Sequence, residues 1–285
     1  MTFDINACSI FLERDDEREE VKRRSLISFK SILDREDFSI QAMLYEPEDA
    51  NDDILLYFHG GGWVTGSITS HDFLCRKITN AMKIRLVSVE YRLAPTYKFP
   101  FALNDALSSY CRLFDNEINF RNVILVGDSS GGNLCASLCI KLMEINFSRR
   151  PPSSQILFYP FLSNDFNSES FVKYGKEIEL TKAMGEWFIN QYTGKDIQDE
   201  ESINNKLIYP ILENDMSVFP KTTIVSAEKD ILFDGNFLFA QKLRNAGIAV
   251  EHIIIENAKH GFMSYGTNCS KYGRIALEKL KGVQI

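Results

Sequence analysis

The run Val123-Ile-Leu-Val-Gly-Asp-Ser-Ser-Gly-Gly-Asn-Leu134 constrains the fold more than any other stretch of the chain. Its four leading apolar residues read as a strand buried on both faces, and residues 131–144 read as a helix. Between them there is room only for a turn so tight that its flanks, Gly127 and Gly131, want no side chain. A strand that converts directly into a helix is half of a βαβ unit. The sequence therefore commits to a mainly parallel sheet with helical crossovers.

The same rhythm recurs along the chain. Apolar runs at 54–58, 86–91, 156–159, 223–226 and 250–255 read as further strands, and 40–45 alternates as an outer strand should. Helical patterns lie between them at about 69–82, 102–114, 236–245 and 272–280. One segment breaks the pattern. Residues 161–219 hold no buried strand, but carry Phe166, Phe171, Tyr174, Trp187, Phe188 and Tyr192 in a polar background. Within it, 181–192 reads as an amphipathic helix with Thr181 as N-cap. An insertion of this kind is expected to lie over the carboxyl ends of the strands, where ligands of such sheets bind. A helix-like stretch at 10–33 is expected to join it. The expected organisation is one domain over 1–285, with a cap from about 1–35 and 161–219.

Composition narrows the function classes. The chain has 285 residues, 45% hydrophobic and 25% charged, enough for a large core. A formal net charge of −7 argues against a nucleic-acid-binding surface, and Lys22-Arg23-Arg24 follows an acidic block as on a solvated face. Neither a signal-peptide pattern nor an apolar run of about 20 residues is present, so a cytoplasmic location without membrane insertion is expected. Cysteines 8, 75, 111, 135, 139 and 269 form no Cys-x-x-Cys pair, and the four histidines no His-Glu-x-x-His. Reduced thiols and no metal are expected.

Chemistry concentrates at three places. The turn at 127–131 presents Ser129 on its crest, with helix N–H groups behind it for a developing negative charge. His59-Gly60-Gly61-Gly62-Trp63 follows the strand at 54–58. Three consecutive glycines are costly in backbone entropy, and their use would be close approach of N–H groups to a substrate oxygen. Gly61 and Gly62, with the N–H of Ser130, are the expected oxyanion donors, while His59 braces the loop. No Gly-Lys-Ser/Thr follows, which disfavours a phosphate loop. A serine nucleophile needs a base held by an acid, here in the order Ser, Asp or Glu, His. His260 follows the last strand, whereas His252 lies within it, so His260 is the expected base. Asp230 sits beyond the strand at 223–226 and is the expected acid, with Asp234 second and Glu228 also near. Trp63 and the aromatic residues of the insertion are candidates for a pocket wall, or for the core of the cap.

These motifs, with Tyr91-Arg-Leu-Ala-Pro95, Phe99-Pro100, Ala227-Glu-Lys-Asp230 and His260-Gly-Phe262, resemble the hormone-sensitive-lipase family of bacterial esterases over about residues 40–280. The resemblance implies an eight-stranded α/β-hydrolase core with a helical cap, activity on short-chain esters, and no cofactor. It maps the family's triad onto Ser129, Asp230 and His260, and its oxyanion donors onto Gly61, Gly62 and Ser130. Members are often dimers, so a homodimer is an admissible partner beside a small-molecule ester. Three departures stand out: Ser130 where alanine is common, a shorter N-terminal segment, and Thr96 where an acid is common. An amidase or deacetylase on a small acylated compound would use the same residues. A non-catalytic binder would lack a triad member, and an interfacial lipase would show a long apolar surface segment.

Overall fold

The computed structural model describes residues 21, 23–33, 38–115, 118–147, 149–176, 179–264 and 271–281. The strands are β1 (Arg23–Lys30), β2 (Ser39–Glu46), β3 (Ile54–Phe58), β4 (Arg85–Val89), β5 (Val123–Asp128), β6 (Ser154–Phe158), β7 (Lys221–Lys229) and β8 (Val250–Lys259). The helices are α1 (Asp72–Met82), α2 (Phe101–Leu113), α3 (Ser130–Glu144), α4 (Glu169–Tyr174), α5 (Lys182–Thr193), α6 (Glu200–Ile203), α7 (Phe233–Asn245) and α8 (Lys271–Leu280).

One eight-stranded sheet runs in the order β1-β2-β4-β3-β5-β6-β7-β8. β1 and β2 pair antiparallel at one edge, β2 joins β4 antiparallel, and every later pairing is parallel. The fold is the α/β-hydrolase fold. Alternate side chains of β3 divide between two cores, as strand geometry requires. Ile54, Leu56 and Phe58 join residues of α2, α3 and α7, whereas Leu55 and Tyr57 join residues of α1 and α8. All five are buried, which explains why the strand is a continuous apolar run.

The expected helix at 10–33 is corrected in part. Arg23–Lys30 is a strand, paired with β2 from Arg23↔Glu46 to Lys30↔Ser39. Its burial alternates: Phe29 and Ile27 turn inward, while Leu26 and Ser28 are exposed. The adjacent apolar pair Leu26-Ile27 hides that two-residue period in the sequence. Residues 23–30 therefore belong to the sheet and not to a cap; 1–20 and 34–37 lie outside the described residues.

Between β6 and β7 the chain makes α4, α5, α6 and two short 3-10 turns, Pro210–Leu212 and Met216–Val218. Helix α5 is stopped at both ends as its sequence requires. Thr181 Oγ1 accepts from Met184 N–H at 3.1 Å, and Gly194 closes the helix in the left-handed region. Among the described residues no helix is long and apolar enough to cross a membrane. Cys75, Cys111, Cys135 and Cys139 are free thiols, and Cys8 and Cys269 lie outside the described residues.

Candidate active site

Ser129 sits between β5 and α3 with φ 53° and ψ −118°, a conformation that a non-glycine residue adopts only when its surroundings enforce it. The enforcement is visible. Ser129 N–H donates to Phe158 O of β6 at 2.8 Å. A Cβ on Gly127 would lie 2.4 Å from Gly131 C, and one on Gly131 only 1.9 Å from Phe58 O. The two glycines are thus required where helix α3 presses against its own strand and against the end of β3.

β8 runs to Lys259, so His260 leaves the sheet directly; β7 runs to Lys229, so Asp230 does the same one strand away. The three side chains meet. Ser129 Oγ lies 2.9 Å from His260 Nε2, and His260 Nδ1 lies 2.7 Å from Asp230 Oδ2. A carboxylate only accepts, so Nδ1 carries the proton and Nε2 is free to accept from the serine hydroxyl. Asp230 is 2% exposed, and its other oxygen accepts from Leu232 N–H at 3.0 Å. The competing acids are engaged elsewhere. Asp234 accepts from Ser170 N–H at 2.7 Å at the start of α4, and Glu228 accepts from Asn257 N–H. His252 is a packed residue of β8 that shares a 2.8 Å hydrogen bond with Ser226, and burial lowers its pKa to about 4.

Beside the serine lies the glycine loop. Gly61 and Gly62 have φ of +118° and +61°, and Gly61 O accepts from Val64 and Thr65 N–H to close the turn. Among the described residues neither Gly61 nor Gly62 donates its N–H to a backbone acceptor outside regular elements. Ser130 is the first residue of α3, so its N–H lacks an acceptor within the helix. His59 lies fully buried under the loop, where its Nδ1–H donates to Gly60 O at 2.8 Å. Its ring stacks on Tyr91 at 4.2 Å, and Tyr91 OH donates to His59 O. Burial lowers the His59 pKa to about 3, which keeps the brace neutral.

The insertion rests on this loop. A Cβ on Gly62 would meet the Phe188 ring of α5 at 2.2 Å, and Trp63 stacks on Tyr192 of the same helix at 4.4 Å. Trp63 is 1% exposed and also meets the edge of Phe161, so it belongs to this aromatic interface and not to an open pocket wall.

Two residues near the serine escape sequence reasoning. Tyr159, at φ +36°, sets its ring 4.9 Å from that of His260, and its hydroxyl accepts from Met263 N–H. Asp128 is 3% exposed and deprotonated. Burial alone would raise its pKa, but the nearby His71 ring and donors from Tyr57 and Gly60 hold it at about 2.

Comparison with known proteins places this geometry among relatives. Residues 55–264 match the model of a family described as having the alpha/beta hydrolase fold. An arylesterase of Saccharolobus solfataricus is 30% identical over 237 residues, spanning 80% of this chain and 74% of its own. An ethyl acetate hydrolase of Pseudomonas putida is 30% identical over 249 residues, spanning 85% and 77%. The solved structure of a hyperthermophilic esterase from the archaeon Pyrobaculum calidifontis superposes with a TM-score of 0.84 at 30% identity, covering 93% of this chain and 83% of that one.

Proposed function

The chain belongs to the α/β-hydrolase fold family, within its hormone-sensitive-lipase-like esterases, and from that membership we propose that it cleaves short-chain carboxylic esters through an acyl-enzyme on Ser129. It is a carboxylesterase-type hydrolase. The observation that carries the proposal is the continuous chain from Ser129 Oγ through His260 to the buried Asp230, at 2.9 and 2.7 Å.

His260 Nε2 takes the hydroxyl proton as Ser129 attacks the ester carbonyl. The resulting oxyanion is stabilised by the N–H groups of Gly61, Gly62 and Ser130, each donor lowering the barrier by about 3–4 kcal/mol by analogy with measured losses. Asp230 holds the imidazole in the useful tautomer and stabilises the imidazolium. His260 then protonates the leaving alcohol, and water hydrolyses the acyl-enzyme by the same route in reverse. The preference for short acyl chains follows from the likeness to hormone-sensitive-lipase-like esterases, among whose relatives is an ethyl acetate hydrolase.

Purified protein assayed on p-nitrophenyl esters from acetate to decanoate tests both parts. Turnover should peak at acetate or butyrate and vanish in Ser129→Ala, and a fluorophosphonate probe should label wild type but not the variant. Equal turnover by Ser129→Ala would remove the serine from the mechanism, and a maximum at long chains would remove the short-chain preference.

A further inference from the structure

Asp128 occupies the variable position of the turn, between Gly127 and Ser129, and nothing in the hydrolytic scheme uses it. Yet its buried carboxylate is surrounded by donors from three separate parts of the chain. Tyr57 OH of β3 donates to Oδ1 at 2.6 Å. Gly60 N–H, in the glycine loop, donates to the same oxygen at 2.8 Å. Ser264 Oγ, four residues past His260, donates to Oδ2 at 3.1 Å. His71 Nε2, at the start of α1, approaches Oδ2 to 3.7 Å. The fit is close as well as polar: a Cβ on Gly60 would fall 2.4 Å from Oδ2, so only glycine lets the loop lie against this group.

We infer that Asp128 is a positioning residue whose carboxylate ties the glycine loop and the histidine loop to the nucleophile turn, and so sets the spacing of oxyanion donors, serine and base. The inference rests on Ser129 and His260 acting as proposed above. The physical reason is economy of reference points. Gly60 leads into Gly61 and Gly62, Ser264 closes the turn begun at Gly261 through its N–H to Gly261 O at 2.8 Å, and Asp128 precedes Ser129. Hydrogen bonds to a buried charge are stronger than neutral ones and hold their donors more tightly. A neutral group of the same shape would keep the contacts but loosen them, and small displacements of a reacting group carry large rate penalties.

The test uses Asp128→Asn, Ser264→Ala and the double variant, with rates per serine titrated by fluorophosphonate. Each single variant should lower kcat about 10- to 100-fold with KM nearly unchanged, the size expected when a hydrogen bond to a charged group matters only in the transition state. An alkyl boronic acid, which forms a tetrahedral adduct on the serine, should bind more weakly by the same factor. The double variant should lose less than the product of the two, since both cut one tether. A merely structural role would lower the thermal midpoint while leaving kcat per titrated serine and boronate affinity at wild-type values, and that result overturns the inference. If Asp128→Asn does not fold, Ser264→Ala decides alone: unchanged kcat and boronate affinity reject the tether, and a matched fall supports it. Turnover surviving in Ser129→Ala would instead signal failure of the catalytic assignment, so the two failures are distinguishable.

Discussion

Replacing Gly131 by alanine places a methyl group 1.9 Å from Phe58 O, a backbone atom that cannot swing aside. The expected outcome is a loss of several kcal/mol or failure to fold, measured by urea unfolding, since over-packing against fixed atoms already costs about 1–3 kcal/mol in softer surroundings. Gly62→Ala meets instead the ring of Phe188, and at φ +61° it is also strained; kcat should fall about 100-fold or more because the loop must shift. Asp230→Asn should preserve the fold but lower kcat by about 10⁴, because an amide no longer enforces the tautomer with Nδ1 protonated. At this scale the sequence was legible wherever chemistry needs an unusual residue in a fixed order. The serine, aspartate and histidine expected in that order stand at the ends of β5, β7 and β8 and are joined by hydrogen bonds, and the glycines mark where backbone comes close. Asp128 was not legible, because its partners Tyr57, Gly60 and Ser264 lie 71, 68 and 136 residues away along the chain. Trp63 was ambiguous for a similar reason: an aromatic residue beside a site packs equally well against substrate or against Tyr192.

Among the elements, α4 and α5 differ in how they are attached. α4 is pinned at its start by Asp234, which accepts from Ser170 N–H, while Ser170 Oγ donates to Ile231 O. Asp234→Ala should therefore destabilise by about 1 kcal/mol, as loss of a helix-start acceptor does, with kcat within about twofold of wild type. A catalytic loss as deep as that of Asp230→Asn would mean that the acid had been misassigned. α5 is attached through aromatic surface, with Tyr192 on Trp63 and Phe188 on Gly62, and Phe99 N–H donates to Tyr192 O at 2.7 Å. Its helical period and cap residues made it readable from sequence; its seat on the glycine loop was not, because no local pattern encodes which distant face an aromatic stripe will meet. β1 failed to be read for the opposite reason, since its local pattern fits both periods and only pairing with β2 chooses between them.

Across the whole molecule, buried titratable groups set the response to acid. His59 and His252 have folded pKa values of about 3 and 4 against an ordinary 6.5. Below pH 6.5 the unfolded chain takes up protons that the folded chain refuses, so stability falls as pH drops through this window. Asp128 adds the same sign lower down: with its pKa near 2 instead of 3.8, its contribution is present above about pH 4 and is lost towards pH 2. Urea midpoints should thus decline steadily from pH 7 to 4, and His252→Gln should flatten part of that slope; a midpoint constant over this range would contradict the burial of neutral imidazoles. The contact between Gly131 and the end of β3 has a further consequence, in evolutionary terms. It welds the nucleophile turn to the root of the glycine loop, so descendants of this chain inherit that spacing unchanged or lose the fold. The insertion is held differently, meeting this loop through the side chains Phe188 at Gly62 and Tyr192 on Trp63. It leaves at the end of β6 and returns at the start of β7, neighbouring parallel strands. In the course of evolution, substitutions at Phe188 and Tyr192 would alter what sits over the loop while the backbone contact at Gly131 stays fixed.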